Sequence, residues 1–538
     1  MMNTPLSLVS LIERAEKLFP KKEIISRTHS GIFKYNYDEM VKRTRALSSA
    51  LTKLGVKKGD KVGTFAWNHH RHLESYFAIP SIGAVLHTIN IRLSAEHISY
   101  VINHAEDKVL LIDIDLLPLI EQVKDELKTV EAFIVMSDDQ TIPESSLEPL
   151  YSYEQLISEG DERFEFSKDI DENDPAGLCY TSATTGLPKG VVYSHRGIVL
   201  HSLALGLKDT LAVSESDRIL PVVPMFHVNA WGIPFAATWF GSTQVYPGPG
   251  MTPQIIADML DEYDVTITAG VPTIWLGLLQ VLEQGKHKLE SIRAIVCGGS
   301  AAPMEMIRKF EVDYGIPFLH AYGMTETTPL ATVSRLKSYQ QDLPENERLE
   351  LRATQGLIVP GLNIKVVDKD GNEVPHDGET YGEMLLQGPW IADSYYKDER
   401  TKEAFVDGWL KTGDVVTIDE EGFVKIVDRT GDLIKSGGEW ISSVDLENGL
   451  MAHSDVAEAA VVAIPDEKWQ ERPAAFVVLR DGSQATKEDL LHFLENNLKF
   501  ARWWLPDEVF FVDEIPKTSV GKFLKRELRE IAKEKITK

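Results

Sequence analysis

Through its first two-thirds the chain alternates short apolar runs with stretches of helical spacing, and that alternation leaves few architectures open. The runs at 61–67, 85–89, 109–113, 132–136, 265–269 and 294–297 are short, strand-like and rich in apolar residues, with helical stretches between them. Such strands are buried on both faces, the condition of a parallel sheet covered by helices. After about residue 350 the texture changes. Asp368-Lys369-Asp370-Gly371-Asn372 and Asp419-Glu420-Glu421-Gly422 carry the Gly and Asn that tight hairpins use at positive φ, which predicts a smaller β-rich subdomain over 350–427. The last hundred residues read as a separate α/β unit, with strands at 459–464, 474–479 and 508–512 and a helix at 486–497 capped by Thr486. The polar turn at 428–433 is the expected hinge between a large domain, 1–427, and a small mobile one, 434–538. The predicted fold class is α/β: parallel sheets with flanking helices, a β-rich subdomain and a small C-terminal α/β domain.

Bulk properties exclude several functions. A formal charge of −26 leaves no basic footprint for nucleic acid. Small polyanions stay admissible through backbone N–H groups and a few placed Lys or Arg side chains. The two cysteines, Cys179 and Cys297, lie in apolar runs and predict buried thiols in a reducing cytoplasm, not a disulfide framework. Leu8, Leu11, Ile12 and Ala15 amid Glu13, Arg14 and Lys17 predict an amphipathic first helix in place of a signal peptide. Residues 219–257 hold no Asp, Glu, Lys or Arg, but six prolines interrupt them. Core or pocket lining is expected there, and no transmembrane span.

Several segments carry chemistry. Tyr180-Thr181-Ser182-Ala183-Thr184-Thr185-Gly186-Leu187-Pro188-Lys189-Gly190 follows a strand, and its hydroxyls, glycines and lysine suit a loop wrapped around phosphate. A Ser/Thr-rich surface loop has the same composition. Glu326, in Tyr322-Gly323-Met324-Thr325-Glu326, offers the oxygen a hard cation prefers, and is equally readable as a solvated carboxylate. Gly298-Gly299-Ser300 lets the main chain approach a flat ring closely. Taken singly, Asp414 and Arg429 read as an ion pair beside a turn, and Lys522, with Lys525, Arg526 and Arg529, as the basic face of a terminal helix.

Together and in this order, these segments resemble the motif set of the AMP-forming adenylating superfamily, which includes acyl-CoA synthetases, luciferases and peptide-synthetase adenylation domains. The resemblance implies that Thr181, Ser182, Thr184, Thr185, Gly186 and Lys189 bind the ATP phosphates, and that Gly299, Ser300, Tyr322 and Gly323 border the adenine. It implies that Thr325 contacts the α-phosphate, Glu326 holds Mg²⁺, Asp414 takes the ribose hydroxyls with Arg429 in support, and Lys522 stabilises the adenylation transition state. The family usually carries glycine where this chain has Ala183.

Val223-Pro224-Met225-Phe226-His227-Val228-Asn229-Ala230-Trp231 is similar to the fatty acyl-CoA synthetase branch, in which the tryptophan matching Trp231, with His227 nearby, gates an acyl tunnel. Ser436-Gly437-Gly438-Glu439-Trp440 resembles the same branch. There it is expected to build the CoA channel after rotation about Asp428 and Gly431, with Lys435 a catalytic contact in that second conformation. The resemblance implies that ATP, a medium- to long-chain fatty acid and CoA give acyl-CoA, AMP and diphosphate through an acyl-adenylate. It also implies a homodimer, and the expected location is the cytoplasm, with peripheral membrane contact as an alternative. The alternatives are a ligase for a short-chain or aryl acid, transfer to another acceptor, and a non-catalytic acyl or nucleotide sensor. His69, His70 and His72 are expected at a surface helix start, not in a metal site.

Overall fold

The computed structural model describes residues 1–181, 187–437, 439–466, 468–518 and 522–537. Among these, the predicted α/β architecture is present as four sheets. A seven-stranded sheet orders Leu150–Ser152, Ala132–Met136, Asp107–Asp113, Lys61–Phe65, Val85–Thr88, Pro175–Tyr180 and Gly190–Ser194, all parallel except the last pair. A nine-stranded sheet has a parallel centre running Phe318–Gly323, Ala294–Cys297, Ile267–Gly270, Arg218–Pro221, Thr243–Tyr246 and Glu23–Arg27. One apolar core joins the faces of both sheets, including Val62, Ile134, Ile198, Phe235 and Val296.

The hairpin turns of the third quarter build an antiparallel sheet from Asn363–Val367, Gly382–Gln387, Phe405–Val406, Trp409–Ile418 and Val424–Arg429. The C-terminal sheet centres on Gln470–Leu479, whose residues alternate between two cores. Ala475 and Val477 pack with Leu446 and Leu450 on one face, while Ala474 and Phe476 pack with Leu528 and Ala532 on the other. Thr486 caps its helix by accepting from Asp489 N, and the helix widens into a π turn at Phe493–Asn497.

The first helix, Leu8–Leu18, buries Leu8, Leu11, Ile12 and Ala15, an i, i+3, i+4, i+7 stripe. The charge-free segment 219–257 lies inside, with Leu220, Val223, Phe235 and Tyr246 buried. No helix among the described residues is long and apolar enough to cross a membrane. Both cysteines are free and buried.

One expectation is corrected. His69, His70 and His72 do start a helix, His70–Ala78, but all three are buried. His69 Nε2 lies 2.8 Å from Asp113 Oδ1, and the His72 ring bridges Thr64 Oγ1 and the Trp67 carbonyl. The helix surface looked polar because its charges are paired internally. Glu74, with no exposed surface, accepts from Tyr35, Tyr153 and Arg43 at 3.0, 2.6 and 2.7 Å.

Candidate active site

Three segments leave the carboxyl ends of parallel strands in the nine-stranded sheet: 222–232 after Arg218–Pro221, 298–303 after Ala294–Cys297, and 324–329 after Phe318–Gly323. Crevices at such strand ends are where open α/β sheets bind ligands. Here the crevice is a cavity of about 840 Å³, to whose lining the small C-terminal unit adds Val444, Glu447, Lys522 and Lys525.

Its polar wall is built around Asp414, in the middle of Trp409–Ile418 and only 2% exposed. Tyr322 Oη donates to Asp414 Oδ2 at 2.5 Å, and Arg429 forms an ion pair with it, Nε lying 2.6 Å from Oδ1. Burial first, and then Asp414, push the Tyr322 phenol well up, so it remains a donor. Gly299, Ser300, Gly323 and Thr325 line the same cavity. The Thr325 carbonyl accepts from Tyr193 Oη at 2.8 Å.

The expected phosphate loop springs from the antiparallel pair Pro175–Tyr180 and Gly190–Ser194. Thr181 N donates to the Lys189 carbonyl at 2.9 Å, and Lys189 N donates to Thr181 Oγ1 at 3.1 Å. Ser182, Thr184, Thr185 and Gly186, with Ala183, lie outside the described residues. Sequence reasoning missed two neighbours. Tyr395 links Lys189 to the buried Glu326, and Arg400, which lines the cavity, donates to the Leu187 carbonyl at 3.1 Å. No motif spacing marks them, since they reach the site only through tertiary packing. A buried carboxylate beside the strand ends that carry Thr181 and Lys189 fits Mg²⁺, which takes one or two carboxylates and completes its shell with phosphate and water. No group of three or more metal-ligating side chains occurs among the described residues.

Lys522 enters from the small unit. Its loop is tied back on itself: Thr518 N donates to the Lys522 carbonyl at 2.6 Å, Lys522 N to Thr518 Oγ1 at 3.1 Å, and Leu524 N to the Pro516 carbonyl at 2.9 Å. Burial, followed by repulsion from Arg429, pushes the Lys522 ammonium down to about 8 against the attraction of Asp414 and Glu326. Burial and then Lys522 hold His227 down at about 3, so it is neutral.

The cavity's apolar arm is lined by Leu205, Leu211, Ile233, Leu276, Val296 and Leu330, and Trp231 lines the same cavity. The Trp231 ring lies over Gly298, where a Cβ would approach it to 3.2 Å. Trp231 stands on a left-handed turn: Val228, Asn229, Ala230 and Trp231 have φ of 44, 52, 49 and 58°, and Gly232 follows at 71°. Each such L-residue costs roughly 1–2 kcal/mol, so packing must impose the turn. Asn229 Oδ1 lies 3.2 Å from Thr88 Oγ1 and 3.4 Å from Cys179 Sγ. A Cβ on Gly232 would sit 2.7 Å from His201 Nδ1.

At the expected hinge, Asp428 is 1% exposed and accepts from Ser443 N at 2.8 Å and Ser443 Oγ at 2.6 Å. Lys525 Nζ pairs with Glu447 Oε1 at 2.7 Å and lies 2.5 Å from Ser443 Oγ. Gly431 has open space around it and no positive φ. Lys435, Ser436, Gly437 and Trp440 do not line the cavity, and Lys435 Nζ instead sits 5.5 Å from the Trp440 ring centroid. Gly438 and the Glu439 side chain lie outside what is described.

Comparison with known proteins agrees with this geometry. Over 534 residues the chain is 52% identical to a long-chain-fatty-acid–CoA ligase of Thermus thermophilus, covering 98% of this chain and 96% of that one. It is 44% identical to a 3-methylmercaptopropionyl-CoA ligase of Ruegeria lacuscaerulensis, covering 100% and 99%. The structure of the anthranilate CoA ligase AuaEII with anthranoyl-AMP is similar over 100% of this chain and 99% of that one, with a TM-score of 0.89 at 26% identity. Residues 12–396 match the AMP-binding enzyme family and residues 445–522 the AMP-binding enzyme C-terminal domain, and with most of its length matched, the chain belongs to the AMP-binding enzymes.

Proposed function

We propose that the protein is an AMP-forming fatty acid–CoA ligase acting on medium- to long-chain acids. The observation that carries this reading is one cavity lined by Lys522, Asp414 and Glu326 together with Trp231 and apolar side chains, and we read Trp231 as the gate of its apolar arm. Burial in such an arm favours an alkyl chain by about 0.8 kcal/mol per methylene.

ATP binds with its ribose on Asp414 and its outer phosphates on the 181–189 loop and Lys189. Mg²⁺ held by Glu326 and the phosphates would neutralise charge there. The fatty carboxylate attacks the α-phosphorus, the bond to the bridging oxygen breaks, and diphosphate leaves with that electron pair. Lys522 faces the charge that develops, and the triphosphate itself favours the ammonium form. The small domain, 434–538, then turns on 428–433 against the large domain, 1–427, with its β-rich part at 350–427. Lys522 withdraws and Lys435, Ser436, Gly437, Gly438, Glu439 and Trp440 approach. The CoA thiolate attacks the acyl carbon, and AMP departs. We assign the protein to the cytoplasm, as a homodimer.

The test is AMP and acyl-CoA formation from acetate to palmitate, with 3-methylmercaptopropionate, benzoate and a no-CoA control. CoA-dependent product that peaks at medium or long chains is expected. A peak at a short or aryl acid would overturn the substrate, AMP without acyl-CoA would overturn the acceptor, and no ATP turnover would leave a sensor.

A further inference from the structure

Tyr395 is 5% exposed and stands between two opposite charges. Lys189 Nζ donates to its hydroxyl at 2.8 Å, and the hydroxyl donates to Glu326 Oε1 at 2.6 Å. The ammonium also lies 4.1 Å from the Tyr395 ring centroid. The three side chains come from distant segments: the 181–189 hairpin, the turn Thr325–Thr327, and the loop after Gly382–Gln387. The ring is fixed edge-on against Phe405 at 5.2 Å, and Tyr395 N donates to Thr401 Oγ1 at 3.0 Å.

The simplest fate of a lysine and a glutamate in one half-buried pocket is to pair directly, and a dry pair of that kind must be separated before either can serve a ligand. The hydroxyl prevents this by taking one hydrogen bond and giving the other, so both groups are satisfied while both still line the cavity. Burial, followed by Glu326, keeps the phenol protonated and able to donate.

We propose that Tyr395 is a positioning residue for nucleotide binding, its hydroxyl holding Lys189 and Glu326 apart and aimed at the cavity, the first for the outer phosphates of ATP and the second for their divalent cation. This rests on the adenylation reading above and adds a residue that no motif marks. Preorganised charges of this kind need no rearrangement when the ligand arrives.

Calorimetric binding of MgATP, and of AMP without metal, to the parent and to Tyr395→Phe tests it. Phenylalanine keeps the ring and its contacts and removes only the bridge. MgATP affinity is expected to fall about tenfold, the scale of a lost charge-assisted hydrogen bond, while AMP affinity stays within about twofold. In the pair Lys189→Met and Lys189→Met/Tyr395→Phe, removing the hydroxyl is expected to cost clearly less than it does in the parent, because only the aim of Glu326 is left to lose. Unchanged MgATP binding by Tyr395→Phe, an equal fall for AMP, or multiplying losses in the double variant would overturn the proposal. A parent that binds neither nucleotide would overturn the adenylation reading and, with it, this part of it.

Discussion

Asp414 and Arg429 are direct cross-strand partners, and Arg429 Nε lies 2.6 Å from Asp414 Oδ1. The pairing fixes a carboxylate that also accepts from Tyr322. Asp414→Ala leaves both donors without their acceptor and Arg429 unbalanced beside Lys522. Affinity for ATP and AMP is expected to fall 100-fold or more, about 3 kcal/mol. Calorimetry reads this, and a loss under threefold would remove Asp414 from the ribose site.

Lys522→Ala is expected to slow acyl-AMP formation by ~10²–10³. Thioester formation from supplied acyl-AMP should stay within a few-fold of the parent, because the proposed mechanism uses the lysine in the first step alone. Rapid-quench assays of the two half-reactions separate these cases, and equal losses would count against the division.

On the proposed mechanism Lys522 acts as the ammonium, and in the free protein that form is present below about 8 and lost above it. The kcat/KM for ATP in the adenylation half-reaction is therefore expected to fall as pH rises through about 8, well before an ordinary lysine would titrate. A profile flat to pH 9.5 would place Lys522 in a wetter setting.

Gly232 and Gly431 make opposite predictions. Alanine at Gly232 meets the His201 ring and an unfavourable φ, whereas alanine at Gly431 meets nothing within 4 Å. Gly232→Ala is expected to cost more than about 2 kcal/mol and to lower the thermal midpoint clearly, with Gly431→Ala inside about 0.5 kcal/mol. Equal midpoints would mean the turn relaxes.

Burial holds His72 and His201 down at about 3, against about 6.5 when the chain is unfolded. The unfolded chain thus binds more protons between those values, and stability falls as pH drops below 6.5. Each group contributes about 1.4 kcal/mol per pH unit. Urea midpoints between pH 7 and 5 check the slope, and His201→Gln is expected to flatten it.

The sheets and the contiguous motifs were readable because each rests on local rules. The strands at Ala132–Met136 and Ala294–Cys297 fall where the apolar runs stop, and Lys189, Glu326, Asp414 and Lys522 each sit in a run of neighbours. Tyr395 and Arg400 were not readable, since their importance comes from what folds against them. The histidines of His70–Ala78 were misplaced for a related reason: polar side chains paired from other elements, as Glu74 is by Arg43 and Tyr153, are buried without any apolar signature. Four consecutive positive φ values at 228–231 leave no trace in a sequence that offers glycine only at the end.

That left-handed turn also bears on how such an enzyme can be retargeted. Its conformation depends on Asn229 below and on the absence of a side chain at Gly232. A library randomised across 228–232 would consist mostly of variants that fail to present Trp231 at all, and selection would then read folding instead of substrate choice. Leu205, Ile233 and Leu276, on helices, and Leu330, on a strand, line the same arm from ordinary backbone. Those positions can exchange size and shape while Trp231, the proposed gate, keeps its place, so they are where a designer gains most from diversity.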